Sequence, residues 1–529
     1  MSGYRSAGKR PWPSSLLAAV LLASGCFKAG PEFVSPPAPV SDAWIEGSDP
    51  RVKTSPDGYR NWWQAFKDPV LDKLIERACR ENLSLRIAGV RILEARAQLG
   101  IAWGEIFPQT QQATGTLQYN KPSEDYPLGN TGGTAYWLAE VGVSASWELD
   151  FWGKFRRAIE SANAGWLASV ANYDSALVTL TADVATAYIA VRTFEKRIGI
   201  ARRNVETQKE SLKIAEARYE DGTVSRLDVE QARTLLYASE ASIHALETKL
   251  RQAKNSLCVL LGLPPGDLAD LLGGAAEIPV APPAVAVGIP ADLLRRRPDI
   301  RSAELQAAAQ CALIGVAKAD LYPAFSLTGS FGFLSTDIGK SSLSDLFRWD
   351  SRTVQAGPSV RWDFLNYGRI ENDVRVQDAR FQELLIAYQN AVLTAQKEVE
   401  DSLSAFLNDQ DQVTLLGQSA TAARAALDLA VFQYREGTVD FTTVLAAQLS
   451  LLVQEDNLAG TQGNVSTDLV GVYRALGGGW EIREEMDPVP PAIRDEMKER
   501  TDWGGLLEPA QSDPAPPQAR EAISRVSDG

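Results

Sequence analysis

The sequence predicts an α+β membrane protein made of two copies of one unit. In each copy very long coiled-coil helices alternate with a pair of strands, and several chains must pool their strands to close a barrel. Three observations carry this expectation: a phrase written twice, apolar residues recurring every three and four positions over long stretches, and four segments alternating with period two.

The phrase reads YEDGTVSRLDV from Tyr219 and returns as YREGTVDFTTV from Tyr434. The shift that carries Tyr219 to Tyr434 also carries Arg86 to Arg301, Gly100 to Gly315, Pro108 to Pro323, Gly153 to Gly368, Gly222 to Gly437 and Gly262 to Gly477. Glycine and proline punctuate the backbone, so two halves that share them share turns and element ends.

Along the chain, MSGYRSAGKRPWPSSLLAAVLLASGC sets Arg5, Lys9 and Arg10 before a short apolar run from Leu16 to Leu22 and the small residues Ala23, Ser24 and Gly25. This is a secretory signal, too short to span a bilayer as a helix of ~20 residues. LASGC resembles the bacterial lipobox, which implies that Cys26 becomes a lipid-bearing (palmitoylated) N-terminus. Ala23 stands where that box commonly has Leu. Phe27 follows where an Asp would favour inner-membrane retention, so the resemblance implies sorting to the outer membrane.

Each unit contains a long stretch free of proline, between Pro127 and Pro264 and between Pro358 and Pro488. From Val170 the apolar positions are Val170, Tyr173, Leu177, Leu180, Val184, Ala187, Val191, Phe194 and Ile198, a 3.5-residue repeat. The second copy has Leu385, Tyr388, Val392, Ala395, Val399, Ser402 and Phe406. A helix from about Gly153 to Tyr219 would be on the order of 100 Å long. Periodicity alone also allows a solitary coiled-coil rod.

The segments between the helices decide against a simple rod. Trp137, Ala139, Val141, Val143, Ala145, Trp147 and Leu149 form one face against Glu140, Gly142, Ser144, Ser146 and Glu148. Ala113, Gly115, Leu117 and Tyr119 oppose Gln112, Thr114, Thr116 and Gln118. In the second copy Phe325, Leu327, Gly329, Phe331 and Phe333 oppose Ser326, Thr328, Ser330 and Gly332, and Val354, Ala356, Pro358, Val360 and Trp362 oppose Gln355, Gly357, Ser359 and Arg361. Strands of about ten residues, apolar on one side and polar on the other, suit a transmembrane barrel with a wet lumen. Four cannot enclose water, since small natural barrels use ~8, and open edges are not tolerated in lipid.

The composition, 45% hydrophobic and 23% charged over 529 residues, supports a large core, and a net charge of -14 argues against nucleic acid as a partner. His244 is the only histidine, which leaves no multi-histidine metal site or histidine triad. Cys79, Cys258 and Cys311 lack CxxC spacing and read as small buried hydrophobes. No catalytic constellation or phosphate loop is present, so neither an enzyme nor a cofactor is expected.

With these features in hand, the chain resembles the TolC-like outer-membrane efflux proteins, in the NodT-like lipoprotein branch that serves resistance-nodulation-division pumps. The likeness rests on GPEFVSPPAP after Cys26, on WWQAFKDPVLDKLIERACRENLSLRIAGVRILEARAQLG and on LLRRRPDIRSAE, and runs from about Cys26 to Trp480. It implies a homotrimer with a 12-stranded outer-membrane β-barrel, four strands per chain, continuous with a coiled-coil periplasmic barrel. Implied partners are a periplasmic adaptor, an inner-membrane pump and outer-membrane lipid. The implied function is a passive duct for drugs and toxic compounds. Service in type I protein secretion and a structural periplasmic coiled-coil lipoprotein remain alternatives. A periplasmic adaptor fits less well, since it carries one hairpin where this chain has two.

The repeated phrase then lies where one helix reverses into the next, each glycine supplying a turn few other residues adopt cheaply. The resemblance makes these the periplasmic tips, which meet the adaptor and constrict the tunnel. It points to Tyr219, Gly222, Arg226 and Asp228 in the first tip, and to Tyr434, Arg435, Gly437, Asp440 and Thr442 in the second. Where relatives often read LLDAQ, this chain has VLAAQ, so Ala446 replaces an acid, and Thr442 stands for a common leucine. Either the gate is softer than usual, or Asp228 and Asp440 carry the acidic role, held apart or paired with Arg226 or Arg435. The expected organisation is a lipoprotein signal over 1–25, a lipidated linker over 26–57, one efflux repeat over 58–272, another over 273–487, and a disordered tail over 488–529.

Overall fold

The computed structural model describes residues 28–53, 59–123, 135–274, 277–339 and 341–508. The signal segment and Cys26 lie outside them.

Elements of equal length recur at the shift that carries Tyr219 to Tyr434. Helix α1 (Pro69–Glu81) is followed by α2 (Leu83–Gly104), and α2 matches α5 (Pro298–Ala319) in its length of 22 residues. Helices α3 (Lys154–Glu220) and α6 (Arg369–Arg435) each run 67 residues, and α4 (Arg226–Leu260) and α7 (Phe441–Ala475) each run 35. At 1.5 Å per residue the two longest extend about 100 Å. Each starts after a glycine in the left-handed region, Gly153 (φ 75°) or Gly368 (φ 79°).

Most residues of the expected apolar stripe on α3 are buried, among them Tyr173, Leu177, Leu180, Val184, Val191 and Ile198. On α6 the stripe passes through Tyr388, Val392, Ala395 and Val399 and then through Leu403 in place of the expected Ser402. A step of four is as compatible with a helix face as a step of three, and leucine gains more from burial than serine. α3 also contains an apolar window long enough to cross a membrane, but 61% of it is buried inside the protein, as in a core helix.

Four strands form one antiparallel sheet in the order β1 (Thr110–Asn120), β2 (Tyr136–Glu148), β3 (Ala324–Thr336) and β4 (Arg352–Arg361). Its register brings the four apolar faces to one side. Gly115 lies opposite Val141, which lies opposite Phe333; Ala113 meets Val143, then Phe331, then Val354. The other side has Gln112, Ser144, Ser330 and Gln355 in one row. Because side chains alternate along a strand, a slip of one residue at any pairing would have mixed the faces. Within the chain Pro358 lies in an edge strand.

The main core lies where the N-terminal segment, α1 and the turn after α7 wrap the long helices, with Trp62 stacked on Tyr473 at 5.4 Å. Two arginines buried on α3 fasten the connections. Arg157 donates to the Ala29 carbonyl (3.0 Å) and to Glu32 (2.8 Å), and Arg192 holds the carbonyls of Leu272 and Gly274. The segment expected as a linker is thus laced across both units: Trp44 donates to the Gly288 carbonyl, and Val52–Lys53 pairs in parallel with Val285–Ala286.

The expected disordered tail needs correction as far as residue 508. Helix α8 (Pro491–Arg500) is followed by a turn, and Val489, Met497 and Leu507 pack on Leu93 of α2. A Cβ on Gly89 would collide with the Pro488 carbonyl oxygen, so the glycine lets this segment lie against α2. Few large apolar groups suffice here because the segment needs only to cover an existing surface. Residues 509–529 lie outside the described residues.

Candidate gate at the helix reversals

Both copies of the phrase fold into the same reversal. After α3, Asp221 N donates to Ala217 O (3.0 Å), Gly222 N to Tyr219 O (3.0 Å) and Thr223 N to Arg218 O (2.9 Å). After α6, Glu436 N donates to Phe432 O (3.1 Å), Gly437 N to Tyr434 O (3.1 Å) and Thr438 N to Gln433 O (3.0 Å). Gly222 (φ 69°) and Gly437 (φ 75°) take the left-handed conformation that closes a helix. The hydroxyls of Thr223 and Thr438 donate to the same carbonyls as their backbone N–H groups. Val224 and Val439 turn into a small apolar cluster. GTV is therefore a reversal in three residues: glycine for φ, threonine for the orphan carbonyl, valine for the contact beneath.

The next helix starts differently in each copy. Asp440 caps α7, accepting from Thr443 N (3.3 Å), Thr442 Oγ1 (2.6 Å) and Thr443 Oγ1 (3.1 Å). These bonds, that of Thr442 first, hold its carboxyl below the usual carboxylate range. In the first reversal Ser225 Oγ donates to Asp228 Oδ1 at 3.1 Å.

The two tyrosines also part company. Tyr434 is 2% exposed and Tyr219 is 46% exposed. The Tyr434 ring meets Phe441 edge-on at 5.4 Å. Arg218, from the last turn of α3, places its guanidinium 4.7 Å from the centroid of the same ring and donates to the Tyr434 carbonyl. The place of Phe441 in the first copy is taken by Arg226, whose partner is Glu230 at 3.4 Å. Burial raises the Tyr434 hydroxyl above its ordinary pKa, and nearby Asp228 acts in the same direction.

Within the described residues of one chain neither Arg226 nor Arg435 pairs with Asp228 or Asp440. Arg226 is taken by a carboxylate one turn along its own helix, and Arg435 makes no ion pair among the described residues. The residue joining the reversals is Arg218, one place before the repeated phrase. No sequence signal marks it, since its counterpart in the second copy is Gln433 and the contact depends on how the hairpins lie together. Thr442 and Ala446 are both exposed, and the Thr442 hydroxyl serves the Asp440 cap.

The family model of outer membrane efflux proteins matches residues 74–263 and 289–478. The chain belongs to this family. The starts of the two matched stretches are related by the same shift that carries Tyr219 to Tyr434. Among curated relatives, the efflux pump outer membrane protein TtgC of Pseudomonas putida is 32% identical over 88% of this chain and 95% of its own length. The pyoverdine export outer membrane protein OpmQ of the same species is 31% identical over 85% and 93%. Nodulation protein T of Rhizobium leguminosarum bv. viciae is 30% identical over 89% and 95%. Among solved structures, the outer-membrane channel OprN superimposes with a TM-score of 0.79 at 32% identity, covering 85% of this chain and 99% of that one. The CmeC outer membrane channel of Campylobacter jejuni, at 24% identity and a TM-score of 0.80, shares the fold over 88% of this chain and all of its own. This outer membrane efflux protein is thus a channel component of the outer membrane that extends into the periplasm, in a family of channels and not of enzymes.

Proposed function

We propose that the chain is one third of a passive outer-membrane duct in a tripartite efflux system. Three copies pool twelve strands into one barrel and their long helices into a periplasmic tunnel. A periplasmic adaptor meets the helix reversals, and an inner-membrane resistance-nodulation-division pump supplies energy and chooses the cargo of small toxic compounds. A lipid on Cys26 anchors the N-terminus, and the paired reversals close the tunnel.

The observation that carries this reading is the sheet. One side is apolar and the other polar across all four strands, while the outer edges of β1 and β4 have no partner among the described residues of the chain. An amphipathic sheet with bare edges is untenable in lipid, and pairing with further copies removes the edges. The helices support the same reading, since about 100 Å of paired helix is far longer than an isolated sheet needs for its own core.

The test is the mass of detergent-solubilised protein together with its conductance in planar bilayers. Three chains per particle and a conducting pore are expected, with a lipid-bearing Cys26 as the first residue of membrane-extracted protein by mass spectrometry. A stable monomer that inserts and conducts would overturn the shared barrel. Loss of protein export, with drug sensitivity unchanged, on deleting the gene would transfer the duct to type I secretion.

A further inference from the structure

The long helices join the sheet at one end. α2 leads into Thr110 and α5 into Ala324, while Glu148 leads into α3 and Arg361 into α6. The opposite end, where β1 stops at Asn120 and β4 starts at Arg352, therefore faces away from the periplasm. At that end the segment 341–351, between β3 and β4, turns back onto the apolar side of the sheet. Ser335, on the same side of β3 as Phe331 and Phe333, is buried and donates from its Oγ to the Ser342 carbonyl (2.7 Å). Phe347 packs on Phe333 with ring centroids 6.0 Å apart, and Ser351 Oγ closes the turn on the Asp345 carbonyl (2.8 Å).

What this segment exposes is amphipathic. Phe347 is 72% and Trp349 66% exposed. Arg352 lies opposite Phe333 in the ladder, so its side chain leaves the sheet on the apolar side. Its guanidinium sits 4.6 Å from the centroid of the Trp349 ring and donates to that residue's carbonyl (2.7 Å). Among the described residues Arg352 has no carboxylate partner, and Arg348 has only Asp345, at 3.3 Å on a largely solvent-facing side chain. Asp350 is exposed too, but it precedes the strand, whereas Arg352 stands within the apolar row.

A cation on the lipid-facing side of a barrel is costly at mid-membrane and tolerated at the headgroups. From Phe325 near the base of β3 to Phe333 the strand runs about 26 Å at ~3.3 Å per residue, or about 20 Å along the membrane normal at a tilt of ~40°. The apolar band of such a barrel is ~25 Å tall, so Phe333 and Arg352 lie at its outer border.

Below them the apolar side is furrowed. A furrow of about 450 Å³ is bordered by Gly115, Val141, Phe333 and Phe347. A second, of about 590 Å³, shares Ala113, Val143 and Phe331 with the first and continues towards the periplasmic end past Ala145 and Gly329. The small residues leave a depth along the strands that larger side chains would fill.

We propose that this corner of the sheet binds a phosphorylated lipid of the outer leaflet, its phosphate on Arg352 and Arg348 and an acyl chain in the furrow beside Phe347. The proposal rests on the reading of the sheet as barrel wall and adds to it a lipid of defined chemistry. Charge complementarity selects the occupant. A guanidinium forks onto two phosphate oxygens, and displacing Asp345 from Arg348 costs little because that pair is exposed. A lipid without phosphate would leave Arg352 beside acyl chains with no counter-ion.

The test is native mass spectrometry of the full-length protein in detergent, titrated with diphosphorylated lipid A and with the same lipid stripped of its phosphates. The phosphorylated form should bind at least about tenfold more tightly, as a charge-assisted pair lost on a buried face implies. Arg352→Gln should abolish that difference and leave conductance in planar bilayers unchanged, since the side chain stands outside the lumen. Phe347→Ser should weaken both lipids alike. Should Arg352→Gln yield no conducting protein, Arg348→Gln, which lies outside the ladder, should weaken the phosphorylated lipid alone. Equal affinity for the two lipids in a conducting protein, or a difference that survives both arginine substitutions, overturns the lipid site and leaves the barrel. A protein that binds neither lipid and forms no pore overturns the barrel reading beneath it.

Discussion

The guanidinium of Arg218 lies over the ring of Tyr434 and donates to that residue's carbonyl oxygen, tying the end of α3 to the end of α6 across the two reversals. A cation over an aromatic face contributes ~0.5 to 2 kcal/mol, and the hydrogen bond adds ~1 kcal/mol. Three copies of this tie total ~4.5 to 9 kcal/mol and, if all are lost on opening, favour a closed tip by more than about a thousandfold. Arg218→Ala should therefore raise single-channel conductance in planar bilayers. The Tyr434 hydroxyl is buried with no hydrogen-bond partner among the described residues, so Tyr434→Phe, which keeps the ring, should leave conductance as it is. Equal effects from the two substitutions would refute the stacking argument.

Arg226 and Arg435 offer a contrast. Neither touches a tip acid, and exposed i,i+4 pairs such as Arg226 with Glu230 contribute less than ~0.5 kcal/mol. Arg226→Ser is expected to leave conductance unchanged. A rise would mean that Arg226 holds a group on another copy.

Thr442 and Ala446 face solvent at the second reversal, as small side chains. Thr442→Leu with Ala446→Asp should narrow the opening and lower conductance. Thr442→Leu alone removes one bond from the Asp440 cap, at about 1 kcal/mol. The fall in conductance should therefore come mainly from Ala446→Asp, and its absence there would take Ala446 out of the constriction.

Burial, and then the neighbouring Asp409 carboxylate, push the Asp468 carboxyl on α7 up to about 7. A carboxyl whose folded pKa exceeds its unfolded value stabilises the fold when protonated. That contribution is complete below about pH 4 and is lost as pH rises to about 7. The thermal midpoint of detergent-solubilised protein should accordingly fall between pH 5 and pH 8, and Asp468→Asn should flatten the slope. An unchanged slope in the variant assigns the pH dependence to other groups.

Gly89 makes room for the Pro488 carbonyl, so Gly89→Ala should lift the segment from Pro488 to Glu508 off α2. Limited proteolysis should then cut within that segment while the long helices resist. The substitution favours helix in an isolated chain by ~1 kcal/mol, so a loss of protection cannot come from propensity.

Local periodicity and punctuation were enough to specify much of this protein. The 3.5-residue stripe on α3 and the period-two strands are visible in sequence because each reflects the geometry of one element against one apolar surface. The glycines of both reversals are equally legible, since a left-handed residue is required wherever a helix ends in this way. Tertiary structure decided the rest. The return of Phe347 onto Phe333, which lays the segment between β3 and β4 over the apolar side of the sheet, shows only in space. The contact of Arg218 with Tyr434, 216 positions apart, depends on how two hairpins lie together, and neither residue's neighbours in the chain encode it. Packing likewise buries Tyr434 and leaves Tyr219 bare, because Phe441 stands in one copy where Arg226 stands in the other. Repetition in sequence determines which elements form. The differences between the copies act only once packing brings distant side chains together, because contact energies depend on distance in space and not on separation along the chain.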